Sequence, residues 1–185
     1  MNPEIRDLDQ AEKWDLRYRE GHRGKVSPFL LQVAERIPSG RALDVATGSG
    51  ANALFLARRG FEVEAFDFSA EAIRLAREAA EAEGLKVIFH QADAASFPVE
   101  EEAYDLILMI RFLDRNLIPR LKRGLKRGGK VLVETFNVRH LSREPTFNPH
   151  YLLGINELLH LFYDLDVLLF REEDHLSQLL AERRK

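Results

Sequence analysis

Apolar residues recur along this chain in two rhythms. Short apolar runs at 41–46, 62–66, 86–90, 104–110 and 130–135 read as strands. Between them lie stretches with apolar residues three and four apart, the spacing of a helix with one buried face. Helices are expected at about 8–20, where Trp14 and Tyr18 share a face, and at 28–36, with Ser27 as N-cap and Pro28 in the first turn. Others are expected at 50–59 stopping at Gly60, at 70–83 between Ser69 and Gly84, at 115–127 ending on Gly128-Gly129, and at 155–161. The longest apolar run, Leu106–Ile110, suits a central strand buried on both faces. After Phe136 the rhythm breaks. Residues 137–150 hold two prolines and little periodicity. Strands at 165–172 and 176–182 then follow without a helix between them, and so short a connection makes them antiparallel. The prediction is an α/β protein: a parallel sheet with helices on both faces and a C-terminal antiparallel hairpin.

Composition narrows the class. At 185 residues and 21.3 kDa the chain reads as one domain, with 45% hydrophobic and 31% charged residues. No stretch is long enough to span a bilayer, and charges occupy the N-terminal positions where a secretion signal would be apolar, so a cytoplasmic location is expected. Having no cysteine excludes disulfides, thiolate metal sites and cysteine nucleophiles. The six histidines lack ligand spacing, so no metal site is expected. A net charge of −3 gives no general attraction for nucleic acid. Residues 111–130 hold eight basic side chains and one acid, read as the solvated face of a packed helix rather than a nucleic-acid footprint.

In an open α/β sheet, ligands lie beyond the carboxyl ends of the strands. Those ends carry Asp44, Asp67, Asp93, Arg111 and Glu134. Between the first two acids runs Thr47-Gly48-Ser49-Gly50, whose glycines let a ligand approach the backbone. A pyrophosphate on that turn would be forced against Asp44, whereas the ammonium of an amino acid would gain from it. S-adenosylmethionine offers such an ammonium, a ribose diol for Asp67, and no phosphate. Phe68 offers a plane for adenine, and Asp93 with the backbone of Ala94 can meet its amine. Two alternatives stay open. Gly48-x-Gly50-x-x-Ala53 followed by Asp67 also fits a dinucleotide fingerprint, hence an NAD(P)-dependent oxidoreductase, and a non-catalytic cofactor binder is the third reading.

The chain resembles the class I S-adenosylmethionine-dependent methyltransferases over nearly its whole length. Asp44-Val-Ala46-Thr-Gly48-Ser-Gly50 is similar to their D-x-G-x-G-x-G motif, with Ala46 in place of the first glycine. Asp67-Phe-Ser69, Gln91-Ala-Asp93-Ala94 and Leu125-Lys-Arg-Gly128-Gly129 resemble the later motifs. A narrower resemblance, to the small tellurite-resistance (TehB-like) methyltransferases, rests on four pieces. These are Trp14-Asp-x-Arg17-Tyr18, Arg111-Phe-Leu-Asp114-Arg115, Glu134-Thr-Phe136 and Asn148-Pro149-x-Tyr151. The resemblance implies a Rossmann-like methyltransferase fold and S-adenosylmethionine as cofactor, S-adenosylhomocysteine being the product. It implies cofactor contacts at Asp44, Ala46, Thr47, Gly48, Gly50, Asp67, Phe68, Ser69, Asp93 and Ala94, with Tyr18 near the methionine part. Residues 1–37 would cover the cofactor, and 137–160 would form a lid or acceptor-binding segment. Methyl transfer is an in-line displacement that needs alignment and exclusion of water, and a base only if the acceptor must lose a proton. His140, Arg111 and Glu134 are the candidates for work on a small-molecule acceptor. Oligomeric state stays open.

Overall fold

The structure, a computed structural model, describes residues 10–184. Helix α1 (Gln10–Arg19) precedes α2 (Pro28–Val33), which tightens into a 3-10 turn at Ala34–Arg36. Then come β1 (Arg41–Val45), α3 (Ala51–Arg58), β2 (Glu62–Asp67), α4 (Ala70–Ala82), β3 (Val87–Gln91), β4 (Tyr104–Ile110), α5 (Ile118–Gly124), β5 (Leu125–Phe136), α6 (Glu157–Leu161), β6 (Asp166–Glu173) and β7 (Leu176–Glu182). The seven strands lie in the order β3-β2-β1-β4-β5-β7-β6. The first five are parallel, and β7 inserts antiparallel between β5 and β6. This is the Rossmann-like methyltransferase arrangement expected from the pattern.

Alternate side chains of each strand feed two apolar layers. Val45, Ile107, Met109, Val133 and Leu179 face α5 and α6, while Ala42, Leu106, Leu108, Leu132 and Leu180 face α2, α3 and α4. Burial on both faces explains the apolar continuity of β4. Ser27 caps α2 as expected, its hydroxyl accepting from the amides of Phe29 (3.1 Å) and Leu30 (3.2 Å).

One expectation needs correction. The helix expected to run to residue 127 stops at Gly124, whose close packing, with a Cβ position 2.7 Å from Val99 and 3.3 Å from the Glu100 carbonyl, admits only glycine. The chain turns there and Leu125 already pairs with Tyr104. Gly128 and Gly129 therefore belong to the strand: Gly128 has φ 78°, and a Cβ at Gly129 would meet the Tyr104 carbonyl at 2.8 Å. Residues 92–103 join β3 to β4 as a loop, where no helix was expected. A polar network lies on the sheet there. Glu64 accepts from the Tyr104 hydroxyl (2.7 Å) and faces Arg41 (3.2 Å) and His90 (3.0 Å).

Candidate functional site

The carboxyl ends of β1 and β2 form the first half of the site. Beyond Val45 the chain enters the left-handed region at Ala46 (φ 53°), Gly48 (56°) and Gly50 (83°). This coils residues 46–50 under the N-terminus of α3. The glycines serve different ends. A Cβ at Gly50 would lie 2.9 Å from that of Ala76, so Gly50 permits close packing on α4. A Cβ at Gly48 would meet the Tyr18 ring, its hydroxyl at 2.5 Å, so Gly48 lets the phenol pack directly on the turn.

Asp44 is buried and accepts from the Thr47 hydroxyl at 2.6 Å. Burial pushes its carboxyl up to about 7; the Thr47 bond opposes this and the nearby Asp67 charge adds to it. Asp67 accepts from the amides of Gly48 (2.8 Å) and Ser69 (2.9 Å), so it fixes the turn as well as facing it. Its carboxyl is raised by burial against the pull of those amides. Neither acid has an ion-pair partner among the described residues. Two buried carboxylates lacking a cation favour a ligand that brings one.

Helix α1 closes this half. Trp14 and Tyr18 pack at 5.9 Å between ring centroids, as their spacing implies. Asp15, which the sequence did not single out, accepts from the Ser69 hydroxyl (2.5 Å) and the Glu71 amide (3.1 Å) at the start of α4. That anchor holds Tyr18 over Gly48. The Tyr18 phenol is pushed above its ordinary range by burial and by the Asp67 charge. Phe68 is half-buried and Ala94 likewise, whereas Asp93 is exposed and its carboxylate caps its own turn through the Ala95 amide (2.7 Å).

The ends of β4 and β5 form the second half. Arg111 holds φ 56°, its amide donating to the Glu134 carbonyl at 2.7 Å. Its guanidinium lies 4.7 Å over the Phe136 ring and 3.4 Å from the Glu134 carboxylate. Glu134, buried, also accepts from the Ser27 hydroxyl (3.2 Å) and the Gln178 amide (2.6 Å). It is a bracket tying α2, β5 and β7 together rather than a side chain open to an acceptor. His140 is only 8% exposed, and neither ring nitrogen has a hydrogen bond. The Glu144 carboxylate approaches no nearer than 3.5 Å. The ring stacks on Phe136 (4.0 Å), with Phe147 edge-on (4.9 Å) and His175 alongside (5.5 Å). Ser27, Gln178 and His175 join this site only through the sheet, from positions 107, 44 and 39 residues away from Glu134 or Phe136.

Residues 137–160 cross this half as two 3-10 turns and α6. Arg115 anchors them, doubly bonded to Glu157 (2.6 and 3.0 Å) and donating to the carbonyls of His150 (2.9 Å) and Leu152 (2.9 Å). The basic stretch is largely occupied: Lys122 pairs with Asp164, Arg123 with Glu101, Lys126 with Asp105 and Lys130 with Glu182.

Residues 42–129, which contain the ends of β1 and β2 with the turn between Asp44 and Asp67, match the methyltransferase domain family. The chain is similar to methyltransferases beyond that segment too. It is 40% identical over 130 residues to a demethylmenaquinone methyltransferase of Thermus thermophilus, covering 66% of this chain and 55% of that one. The chain thus spans little more than half the length of this relative. A 63-residue stretch is 38% identical to a 23S rRNA uracil-C5 methyltransferase of Pyrococcus abyssi, covering 34% of this chain and 15% of that protein. Among solved structures, TehB of Haemophilus influenzae superposes with a TM-score of 0.78 at 19% identity, over 96% of this chain and 68% of that one. The chain shares its fold with TehB, and no helix among its described residues is long and apolar enough to cross a membrane.

Proposed function

We propose that the protein binds S-adenosylmethionine between α1 and the ends of β1 and β2, and transfers its methyl group to a small-molecule acceptor at the ends of β4 and β5. One observation carries this reading: two buried carboxylates, Asp44 and Asp67, flank a left-handed turn and have no cation among the described residues. Asp67 has lone pairs left for the ribose hydroxyls, Asp44 favours the ammonium, and Gly48, having no Cβ, brings the Tyr18 phenol directly onto the turn. When bound, the cofactor supplies a methyl on a sulfonium, whose departing sulfur is neutral and needs no acid. The chain's own contribution is to align the reactants and exclude water.

Hydride transfer from a dinucleotide is disfavoured by the same residues, since a pyrophosphate on this turn would face Asp44, and by β7 running antiparallel in the sheet. The name of the Thermus relative makes a fused-ring hydroquinone the first acceptor to try. The paired state of the basic stretch supports a small molecule over RNA, despite the short match to an rRNA enzyme. Residues 137–160, pinned by Arg115, serve in this reading as the acceptor lid.

Isothermal titration with S-adenosylhomocysteine, with NADH as comparison, tests the cofactor half. Micromolar binding of the first alone is expected; preference for NADH would overturn the proposal.

A further inference from the structure

His140, one of the three candidates for work on the acceptor, has no hydrogen bond to orient it among the described residues. A histidine that removes a proton works best with one ring nitrogen held by an acceptor, which fixes the tautomer and leaves the other nitrogen's lone pair free. Another histidine of this half meets that description. His175 lies in the turn between β6 and β7, and because Phe136 pairs with Leu176, the antiparallel register brings this turn to the carboxyl end of β5. Its Nδ1 is 2.9 Å from the Asp174 carboxylate. Asp174 is held in turn by Arg143, and the turn is fixed from below by the Asn137 amide donating to the His175 carbonyl at 3.0 Å. A carboxylate can only accept, so Nδ1 carries the hydrogen. Nε2 points across the ring, away from the exposed Asp174, and makes no hydrogen bond among the described residues. The ring stacks beside Phe136 (5.8 Å) and His140 (5.5 Å). Two strand spacings, on the order of 10 Å, separate β7 from β4, a gap that a planar ring and an imidazole together can bridge.

Resting on the proposed methyl transfer, we infer that His175, oriented by Asp174, is the general base for an acceptor that carries a hydroxyl on a planar ring. The half-buried Phe136, whose faces already carry Arg111 and His140, borders that ring by its edge. The proton of the acceptor hydroxyl goes to Nε2, and its O–H electron pair becomes available to the oxygen or, through the ring, to a carbon. That atom bonds to the methyl carbon as the carbon–sulfur bond breaks, its pair going to sulfur. Histidine is left as imidazolium beside Asp174 and Arg143, with Arg111, Arg139, Glu144 and Glu172 the other charged groups near these elements. It returns the proton to water. Asp174 is held below the usual carboxylate range by His175 and Arg143, so it stays ionised as the orienting partner. Asp174 is a positioning residue, and His175 is the one that touches the acceptor.

Two measurements test this. Nitrogen-15 NMR of the ligand-free protein should show His175 as the Nδ1–H tautomer, lost in D174N; an Nε2–H tautomer would overturn the assignment. Methyl transfer should then be followed with 1,4-dihydroxynaphthalene, a thiol and an amine as acceptors, for wild type, H175Q and D174N. The expected result is methylation of the naphthalenediol, with kcat falling at least 100-fold in H175Q. The acid limb of its pH profile should vanish while KM for S-adenosylmethionine is unchanged. Naphthalenediol turnover that survives in H175Q would sink the role of His175 yet leave methyl transfer standing, and so would turnover of the thiol or amine alone. No methylation of any acceptor would remove the proposed function and this inference together.

Discussion

Ala46 occupies a backbone conformation (φ 53°) that costs an L-residue about 1–2 kcal/mol relative to glycine. The resemblance pointed to this position because a glycine usually stands there, and the structure supplies the reason for the glycine. A46G should raise stability by less than about 1 kcal/mol, since the released strain is partly offset by a freer unfolded chain. Chemical denaturation would show it, and a loss instead would mean that the Ala46 methyl packs usefully on the core. Asp67→Ala should weaken S-adenosylhomocysteine binding by about 1.5–3 kcal/mol in calorimetry, if the carboxylate holds the ribose. Unchanged affinity would confine Asp67 to fixing the turn. Asp44 gives a pH signature. Its folded value of about 7 lies above its ordinary 3.8, so the unfolded chain binds fewer protons between the two. The Asp44 contribution is therefore fully present below about pH 4 and is lost as pH rises through 7. In D44N that fall should disappear from the stability–pH curve, and an unchanged slope would show that Asp44 is ionised throughout.

Elements were easier to read than their meetings. The parallel strands, the capped starts of α2 and α4 and the C-terminal hairpin follow from local spacing and cap residues, so they were visible along the chain. The end of α5 was not, because Gly124 is required by contacts with Val99 and Glu100, which only the fold brings near. The cofactor turn was legible since Asp44, Gly48 and Asp67 lie within one strand–helix–strand unit. The proposed acceptor half was only partly so: Arg111 and Glu134 were found from strand ends and His140 from the segment after β5, but Ser27, Gln178 and His175 arrive from other elements. The Arg115 anchor makes an element-level prediction. R115A should speed hydrogen exchange across 148–157 while leaving β1 and β4 protected; uniform acceleration would mean that the anchor supports the whole fold.

For the whole molecule, charge and cofactor binding should be linked. With Asp44 near half protonation at neutral pH, a ligand bringing an ammonium should favour its ionised form and expel a proton. Calorimetry of S-adenosylhomocysteine at pH 7 should then give different heats in phosphate and in Tris, with affinity falling at lower pH. Equal heats would place the ammonium away from Asp44. In the proposed reading the molecule also divides its labour along the sheet, the donor side resting on β1, β2 and α1 and the acceptor side on β4, β5 and the hairpin.

The position of β7 has a consequence for how the chain is made. Strand β6 leaves the ribosome before β7, yet in the finished sheet it bonds only to β7, which lies between it and β5. Until β7 emerges, β6 has no seat and the outer edge of β5 is open, a row of unpaired amides and carbonyls able to recruit a stray strand. The first five strands can assemble during synthesis, but the hairpin that carries His175 and Gln178 must dock afterwards, as a unit. A nascent chain paused before Leu176 would hold a formed donor half beside an adhesive edge, so the passage of these few residues is where a chaperone has most to do.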